Sequence, residues 1–230
     1  MIDDEYTYEV ITTKNDAYLC AQLVAEEYVV HNPLAAFDHI PSDWFFNNVS
    51  WPLFADVVDE QLSFLVRHRI SGEIVGAIAA GDLFLFHEKH PYDPTGPPTK
   101  FGAGDLFDEL DHLFISRDFG QELKPNLVLQ ITIIVVRAQH SGKGVASRLS
   151  IAMCEHARNT KGFEYAFVQA AHPATQQLYV NKMSGQIVTI VDPTTWLWKK
   201  KDDGLSRPYK DYKGGLIPNI LINLKSDVNK

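Results

Sequence analysis

Residues 127–150 read LVLQITIIVVRAQHSGKGVASRLS, and this stretch decides the fold. Leu127–Val136 is a mainly apolar and β-branched run, which predicts a buried central strand. A tight polar loop follows at Arg137–Lys143, and Gly144–Thr160 then has the spacing of an amphipathic helix. Because a strand that leads through a glycine-containing loop into a helix is typical of α/β proteins, we expect strands and helices to alternate around it.

The segments on either side of this stretch predict the rest of a mixed α/β order. Six further strands are expected, at Tyr6–Thr12, Leu62–Arg69, Ile74–Leu85, Phe163–Ala170, Gln186–Val191 and Asn219–Leu224. Helices are expected from Asn15 or Asp16 to Val30, from Pro41 to Glu60, and over Phe101–Phe119 and Pro173–Met183. His31-Asn32-Pro33 is expected to end the first helix, while His87–Thr99 and residues 192–217 are predicted to be irregular. The order predicts a mixed central sheet of about seven strands, part antiparallel and part parallel, flanked by helices.

Composition and charge limit the kinds of molecule that the protein is expected to bind. The chain has 230 residues, 45% of them hydrophobic and 22% charged, and we expect one domain over residues 1–230. Lys and Arg number 21 against 29 Asp and Glu, and this net charge of −8 argues against nucleic-acid partners and anionic membranes. The same balance mildly favours cationic substrates such as amines.

Cysteine usage and the N-terminal sequence indicate a cytoplasmic protein. Cys20 and Cys154 are too few for a disulfide framework or a zinc site, so we expect no metal. The acidic start MIDDEYTYEV lacks the apolar core of a signal peptide, and no apolar run is long enough to span a bilayer.

The loop inside residues 133–150 is the feature that points to chemistry. Gly142 and Gly144 carry no Cβ, so the backbone can approach a ligand closely there. The amides from Ser141 to Ala146 would then be unpaired at a helix N-terminus, where they and the helix dipole favour phosphate or pyrophosphate. The Walker pattern fails because Gly144 follows Gly142-Lys143 where Ser or Thr is required, and the dinucleotide pattern lacks its third glycine. An acyl-CoA loop is the third interpretation.

The same loop resembles the signature of the GNAT superfamily of CoA-dependent N-acetyltransferases. That signature is Val-x-Pro and then, after a few residues, (Arg/Gln)-x-x-Gly-x-(Gly/Ala). Val136, Gly144 and Ala146 match it, whereas Ala138 stands where proline is common and Ser141 where Arg or Gln is usual. HNPLAAF, SGEIVGAIAAG and LDHLF, at residues 31–37, 71–81 and 110–114, are similar to arylalkylamine N-acetyltransferases of the insect and invertebrate type. The resemblance therefore extends over most of the chain.

The resemblance implies a fold, a co-substrate and a reaction. The fold is an α/β GNAT sheet that is splayed between its fourth and fifth strands. The reaction is direct attack of a small primary amine, an arylalkylamine above all, on the thioester of acetyl-CoA. Monomer or homodimer is the expected state. The resemblance assigns the pantetheine arm to backbone groups of Ile134, Val135 and Val136, and the pyrophosphate to Ser141, Gly142, Lys143, Gly144, Val145 and Ala146.

Two alternatives to arylalkylamine acetylation stay open. One is a GNAT-fold protein that binds acyl-CoA without catalysis, and the departures at Asn32, Ser141, Ala170 and Ala174 support it. The other is an acyltransferase whose acceptor is a polyamine or an amino acid. A panel of amines distinguishes them.

Four residues are candidates for the proton transfers. Tyr179 stands where related enzymes have a Leu-Tyr pair whose phenol acts as general acid, with a packed helix tyrosine as the alternative. Insect-type enzymes place an acidic base before the Pro-Leu pair, but Asn32 stands there, so the base is expected from His31, Glu27 or His172. Each also has a purely structural alternative. His31 would be a residue at a helix C-terminus, Glu27 would lie on a solvated helix face, and His172 would be an N-terminal cap.

Two further features concern the amine side. Seven aromatic residues are candidates for an aromatic wall, with core packing as the alternative: Tyr28, Phe37, Trp44, Phe45, Phe46, Trp51 and Phe54.

Asp111 and His112 are adjacent and cannot form a dyad on one helix, so we expect them at the pocket rim or on the surface.

Overall fold

The computed structural model describes residues 4–201 and 205–225. Its strands are β1 (Tyr6–Val10), β2 (Phe64–His68), β3 (Ile74–Asp82), β4 (Val128–Val136), β5 (Tyr165–Gln169), β6 (Gln186–Val191) and β7 (Ile217–Asn223). Its helices are α1 (Lys14–His31), α2 (Pro33–Phe37), α3 (Ser42–Phe45), α4 (Trp51–Val57), α5 (Leu83–Lys89), α6 (Gly102–Leu113), α7 (Val145–Lys161) and α8 (Pro173–Gln177). Turns of π-helix extend α3, α6 and α8 over Phe46–Ser50, Phe114–Asp118 and Leu178–Lys182. Within the two described ranges, no helix is long and apolar enough to cross a membrane.

The strands form one mixed sheet in the order β1-β2-β3-β4-β5-β7-β6. β4 and β5 pair in parallel, and the other neighbouring strands pair antiparallel. Because alternate residues of a strand face opposite sides, Leu65 joins the core beneath α1 whereas Val66 joins the core beneath α7. Helices therefore cover both faces, and the predicted seven-stranded mixed sheet is confirmed.

The sheet opens between β4 and β5. Their pairing ends at Ile131 and Val168, and residues 132–136 of β4 continue without a partner on β5. At the same level β4 carries an extra residue, Thr132, relative to β3, which is a β-bulge. A bulge bends its strand, so β4 turns away where its parallel neighbour ends. The splay predicted between the fourth and fifth strands is confirmed.

The turn after α1 differs from the sequence prediction. Asn32 Oδ1 accepts from the backbone amides of Leu34 and Ala35 at 3.0 and 3.1 Å, so Asn32 caps a short new helix. Pro33 is the first residue of that helix, a position where its missing N–H costs nothing. The His31-Asn32-Pro33 sequence ends one helix, as predicted, and also begins the next.

The end of the third strand also differs. Asp82 Oδ1 accepts from the amide of Phe84 at 3.0 Å and caps α5, so residues 83–85 are helical rather than extended. The predicted irregular stretch His87–Thr99 consequently begins inside this helix. An apolar run of this length does not distinguish a buried strand from a buried helical turn by its pattern alone.

The irregular segment over residues 192–217 packs against α6 where it is described. Trp196 Nε1 donates to Glu109 Oε2 at 3.1 Å, and Trp198 Nε1 donates to Asp105 Oδ2 at 2.6 Å. Lys200 Nζ lies 3.1 Å from the other carboxylate oxygen of Asp105. These contacts hold α6 in place, and a neighbouring face of that helix lines the site.

Candidate active site

A cleft of about 780 Å³ opens where β4 and β5 separate. Gln130–Val136 line it along β4, and helices α1, α3, α6 and α8 supply much of the remaining wall. Ala146 of α7 and Tyr28 of α1 both line it, although these two helices cover opposite faces of the sheet. Residues from both faces of the sheet therefore line the cleft.

The loop between β4 and α7 has the backbone that the glycine pattern predicts. Gly142 and Gly144 have φ values of +78° and +77°, a region that favours glycine. Gly144 is the N-cap of α7, and no side chain caps the first amides of that helix. Uncapped amides at a helix N-terminus are a binding element for phosphate groups.

The predicted acetyl-CoA contacts fall into two groups. Five of them line the cleft: Ile134, Val135, Val136, Ser141 and Ala146. The other four, Gly142, Lys143, Gly144 and Val145, complete the loop without lining the cleft. Lys143 Nζ donates to Glu5 Oε1 at 2.6 Å, and its carbonyl accepts from Arg148 Nη2 at 2.9 Å. The unpaired edge of β4 and the uncapped helix start fit a ligand with a pantetheine arm and a pyrophosphate.

Glu27 and His31 lie together at the end of α1, and both line the cleft. Their side chains are one helical turn apart, with His31 Nε2 3.4 Å from Glu27 Oε2. The His31 side chain is 55% exposed and that of Glu27 only 14%. Arg137 Nη1 lies 3.9 Å from Glu27, so the glutamate has a cation on each side when His31 is protonated. Asn32 is occupied as the cap of α2.

His172 lines the cleft at the start of α8. Its Nδ1 accepts from the backbone amide of Ala174 at 3.1 Å, so the ring caps that helix. This bond uses the lone pair of Nδ1 and leaves the proton of the neutral ring on Nε2. In this arrangement His172 offers the cleft an N–H donor rather than a free lone pair.

Tyr179 is fully buried and does not line the cleft. Its hydroxyl lies 3.1 Å from Ser150 Oγ of α7. It packs in the same core cluster as Ile131, Val168 and Leu178, which do line the cleft. Burial raises the pKa of this phenol above its ordinary value, so it is protonated at neutral pH. A role as general acid stays a prediction, and it requires the hydroxyl to reach the cleft.

Family comparison agrees with this architecture. The model of the Acetyltransferase (GNAT) family matches residues 33–185, more than half of the chain. The chain belongs to the GNAT acetyltransferase family. It is therefore an acyl-CoA N-acyltransferase, and the resemblance in its sequence is confirmed. Among curated proteins, no sequence matches this GNAT enzyme.

Solved structures that resemble this GNAT enzyme include insect proteins. Mosquito arylalkylamine N-acetyltransferase like 5b has a TM-score of 0.72 at 12% identity, covering 95% of this chain and 99% of that one. The polyamine N-acetyltransferase of Drosophila melanogaster has a TM-score of 0.66 at 15% identity, with coverages of 95% and 100%. The C-terminal condensation domain of Ebony has a TM-score of 0.69 at 14% identity, with coverages of 97% and 100%. At these identities the likeness shows the fold.

Asp111 belongs to the GNAT cleft, which corrects its expected position at the rim or on the surface. Gly104, Phe107, Asp108 and Asp111 of α6 all line the cleft. Their spacing of three and four residues is that of one helical face. His112 lies off this face and lines a second cavity of about 230 Å³.

The carboxyl group of Asp111 is held by two glutamine side chains. Its Oδ2 accepts from Gln130 Nε2 at 3.0 Å, and its Oδ1 accepts from Gln169 Nε2 at 2.9 Å. Burial, and after it the charge of Asp108, raise the pKa of Asp111 to about 8. The sequence signal that could have found it is a glutamine in each of two apolar strands, because buried amides require partners.

The aromatic wall is smaller than predicted and partly made of other residues. Of the seven candidates, Tyr28, Trp44 and Phe45 line the cleft, and Phe37, Phe46, Trp51 and Phe54 do not. Three aromatic residues from outside that group also line it, namely Phe86, Phe101 and Phe107. Trp44 meets Phe101 edge to face, with 4.9 Å between ring centroids. Four of these aromatic residues belong to or pack against the core beneath α1, namely Tyr28, Trp44, Phe45 and Phe101.

The two cysteines lie in the core. Cys20 and Cys154 are buried free thiols, and burial raises the pKa of the Cys154 thiol to about 12. A buried, protonated thiol is a poor nucleophile. Among residues 4–201 and 205–225, no group of three or more His, Cys, Asp or Glu side chains is arranged to hold a metal ion.

Proposed function

We propose that this GNAT enzyme transfers the acetyl group of acetyl-CoA to a small primary amine that carries an aromatic ring. The observation that carries the proposal is the cleft through the split sheet. It joins a loop suited to pyrophosphate on one face with an aromatic wall on the other. Thioester and amine would meet at the bulge of β4, because the residues of the bulge line the cleft. We propose that the chain acts as one domain.

Acetyl-CoA would supply the acetyl group as an activated thioester. We assign its pantetheine arm to the backbone of residues 134–136, because this edge of β4 has no partner on β5. We assign its pyrophosphate to the loop of residues 141–146, where positive-φ glycines lead into the uncapped start of α7. The amides from Gly142 to Ala146 would bind it. The Ser141 amide, which the sequence predicts to be unpaired, instead donates to the carbonyl of Ala138 at 3.1 Å. The chain's own contribution is to hold these two parts so that the carbonyl carbon faces the aromatic wall.

The transfer requires a proton to leave the amine and another to reach the departing sulfur. The neutral amine attacks the thioester carbonyl, and the tetrahedral intermediate collapses with release of the CoA thiolate. Tyr179 is the proposed general acid because its phenol stays protonated at neutral pH. Glu27, His31 and His172, the bases that the sequence predicts, all line the cleft, and His172 could accept a proton at Nδ1 only if its bond to Ala174 opened.

One observation favours a second class of acceptor. Asp108 and Asp111 line the cleft, and two carboxyl groups would attract the second ammonium of a polyamine. Both kinds of activity, on arylalkylamines and on polyamines, appear in the names of the similar structures. The aromatic wall favours an arylalkylamine as the acceptor. A substitution within this wall distinguishes an arylalkylamine from a polyamine acceptor.

Trp44→Ala is expected to weaken aromatic substrates selectively. An aromatic contact contributes about 0.5–1.5 kcal/mol beyond its buried area, and 1.4 kcal/mol corresponds to a tenfold change. We expect the KM for tyramine to rise about tenfold, while the KM values for spermidine and acetyl-CoA stay within about twofold. Steady-state release of CoA thiol measures all three.

Trp51→Ala is the matched control for that substitution. Trp51 packs against Tyr18 at 5.3 Å between ring centroids and does not line the cleft, so no KM should change. A wild-type enzyme that prefers spermidine, with a Trp44→Ala variant that leaves tyramine unaffected, would contradict an aromatic acceptor. It would support the polyamine instead.

A further inference from the structure

We propose that Asp111 is the general base that takes the proton from the acceptor ammonium. The inference rests on the proposed function, because it concerns the same amine in the same cleft. Three observations carry it: the place of Asp111 in the split sheet, the two amides that hold its carboxyl group, and a second cavity on its other side.

Asp111 lies at the point where β4 and β5 part. Gln130 precedes Ile131, the last residue of β4 that pairs with β5, and Gln169 is the last residue of β5. Because both glutamine side chains donate to Asp111, its carboxyl group is fixed over the start of the splay. Phe107 of the aromatic wall lies one helical turn away on α6. An amine held against that wall would therefore have Asp111 beside it.

The two amides orient the carboxyl group. Gln169 Nε2 also donates to the carbonyl of Phe107 at 3.0 Å, which fixes the NH₂ group of this amide toward Asp111. Each carboxylate oxygen accepts one N–H and has a lone pair left. The remaining lone pairs are available to an ammonium in the cleft. Two N–H donors and no acceptor also favour the ionised form that a base requires.

A second cavity, of about 230 Å³, lies on the other side of Asp111. Asp108 and Asp111 line both cavities, so they form part of the wall between them. A proton taken up by Asp111 from the amine can leave toward this second cavity. It would not have to pass the acetyl group on its way to solvent.

All protons and electrons are accounted for in the transfer of the acetyl group from the thioester to the amine. The ammonium N–H bond breaks, an O–H bond forms on Asp111, and the freed lone pair bonds to the thioester carbonyl carbon. When the intermediate collapses, the C–S bond breaks and sulfur keeps its electron pair. The nitrogen then loses its second proton and the thiolate gains one. One proton remains on Asp111 and returns to solvent, and nothing is oxidised or reduced.

The pH dependence follows from the environment of Asp111. Burial and the charge of Asp108 raise its pKa to about 8, so it is mostly protonated at low pH and ionised above that value. A base acts in its ionised form, so kcat/KM should rise with pH to a plateau, with a midpoint near 8. The titratable groups that line the two cavities around it are Asp108 and His112 on α6, His87, His90, Tyr92, Asp93 and Lys200 at the smaller cavity, and Glu27, Tyr28, His31 and His172 at the cleft.

Asp111→Asn tests the inference with tyramine as the acceptor. Asparagine has nearly the same shape but cannot take a proton, so kcat/KM should fall by about 100-fold or more. The rise in kcat/KM with a midpoint near pH 8 should disappear. The increase in Tm on adding acetyl-CoA should remain, which shows that the variant is folded and binds its co-substrate.

A thermal melt gives a second readout that does not require activity. The raised pKa means that native Asp111 keeps its proton between about pH 4, where the unfolded carboxyl ionises, and about pH 8. Its contribution to stability therefore falls as pH rises through this window. Asparagine has no such dependence, so Tm of Asp111→Asn minus Tm of the wild type should increase from pH 5 to pH 8.

Asp108→Asn is the matched variant on the same helical face. It removes the nearby charge that raises the pKa of Asp111, so the midpoint of the pH profile should move to lower pH. A purely structural role for Asp111 predicts no such movement.

The outcomes separate this inference from the proposed function. A wild-type enzyme that acetylates no amine overturns both. An active wild type with Asp111→Asn within threefold of its kcat/KM overturns the inference alone. The inference alone is also overturned if Glu27→Gln abolishes the pH dependence of kcat/KM while Asp111→Asn leaves it intact.

Discussion

With glutamate at position 146, acetyl-CoA binding should be lost while the protein stays folded. Ala146 lies in the first turn of α7 and lines the cleft. It is the last residue of the loop to which we assign the pyrophosphate. Two like charges 4 Å apart near a protein surface repel by about 4 kcal/mol, and 1.4 kcal/mol is a tenfold change. We therefore expect the KM for acetyl-CoA to rise by about 100-fold or more in Ala146→Glu. A negative charge in the first helical turn stabilises the helix, so Tm without ligand should not fall.

Ser147→Glu is the control for Ala146→Glu, because it adds the same charge to the same turn. Ser147 Oγ accepts from Lys182 Nζ at 3.2 Å, and Ser147 does not line the cleft. The new carboxylate should pair with Lys182 and leave acetyl-CoA binding within a few-fold of the wild type. A thermal-shift titration with acetyl-CoA compares the variants. Unchanged affinity in Ala146→Glu would contradict the assignment of this loop.

Tyr179→Phe should lower kcat by about 100-fold if the phenol protonates the CoA thiolate, since general acids contribute roughly 10²–10⁴-fold. The substitution removes one hydroxyl and leaves the ring in the core cluster that contains Ile131, Val168 and Leu178. The KM values for tyramine and acetyl-CoA should therefore change little. A steady-state assay of CoA release gives kcat and both KM values.

Ser150→Ala distinguishes catalysis by the phenol from its structural hydrogen bond. It removes the partner that lies 3.1 Å from the Tyr179 hydroxyl but keeps the phenol itself. Both substitutions leave one buried hydroxyl unpaired, at a cost of about 1–3 kcal/mol, so both should lower Tm. Only Tyr179→Phe should lower kcat. Equal losses of Tm with kcat unchanged in both variants would contradict the acid role and leave Tyr179 as a core residue.

The sheet and the loop could be predicted from the sequence because their signals are local. The apolar run of β4, the glycines at 142 and 144 and the apolar face of α7 follow one another within residues 127–150. Each of these signals depends on near neighbours in the chain: hydrophobic spacing, missing Cβ atoms and helix periodicity. The order of the strands then requires a parallel β4–β5 pair joined by α7, which the structure contains.

The site residues could not all be predicted because their environment is set by distant segments. Asp111 resembles a surface aspartate in its own helix, and its environment depends on Gln130 and Gln169 of two later strands. Tyr179 fits a family position by sequence, yet its burial against Ser150 is a property of tertiary packing. The helix caps at Asn32 and Asp82 could have been predicted from the sequence, since an Asn or Asp before a helical turn favours helix initiation.

The proposed acetyl transfer requires that an aromatic amine makes the enzyme release CoA from acetyl-CoA. We predict saturable, tyramine-dependent thiol release, with N-acetyltyramine identified as the product by mass spectrometry. The contradicting result is an enzyme whose Tm rises with acetyl-CoA but which releases no CoA with tyramine, dopamine, serotonin, spermidine or free amino acids. That result would mean that the cleft binds acyl-CoA without transferring its acetyl group to any of these amines.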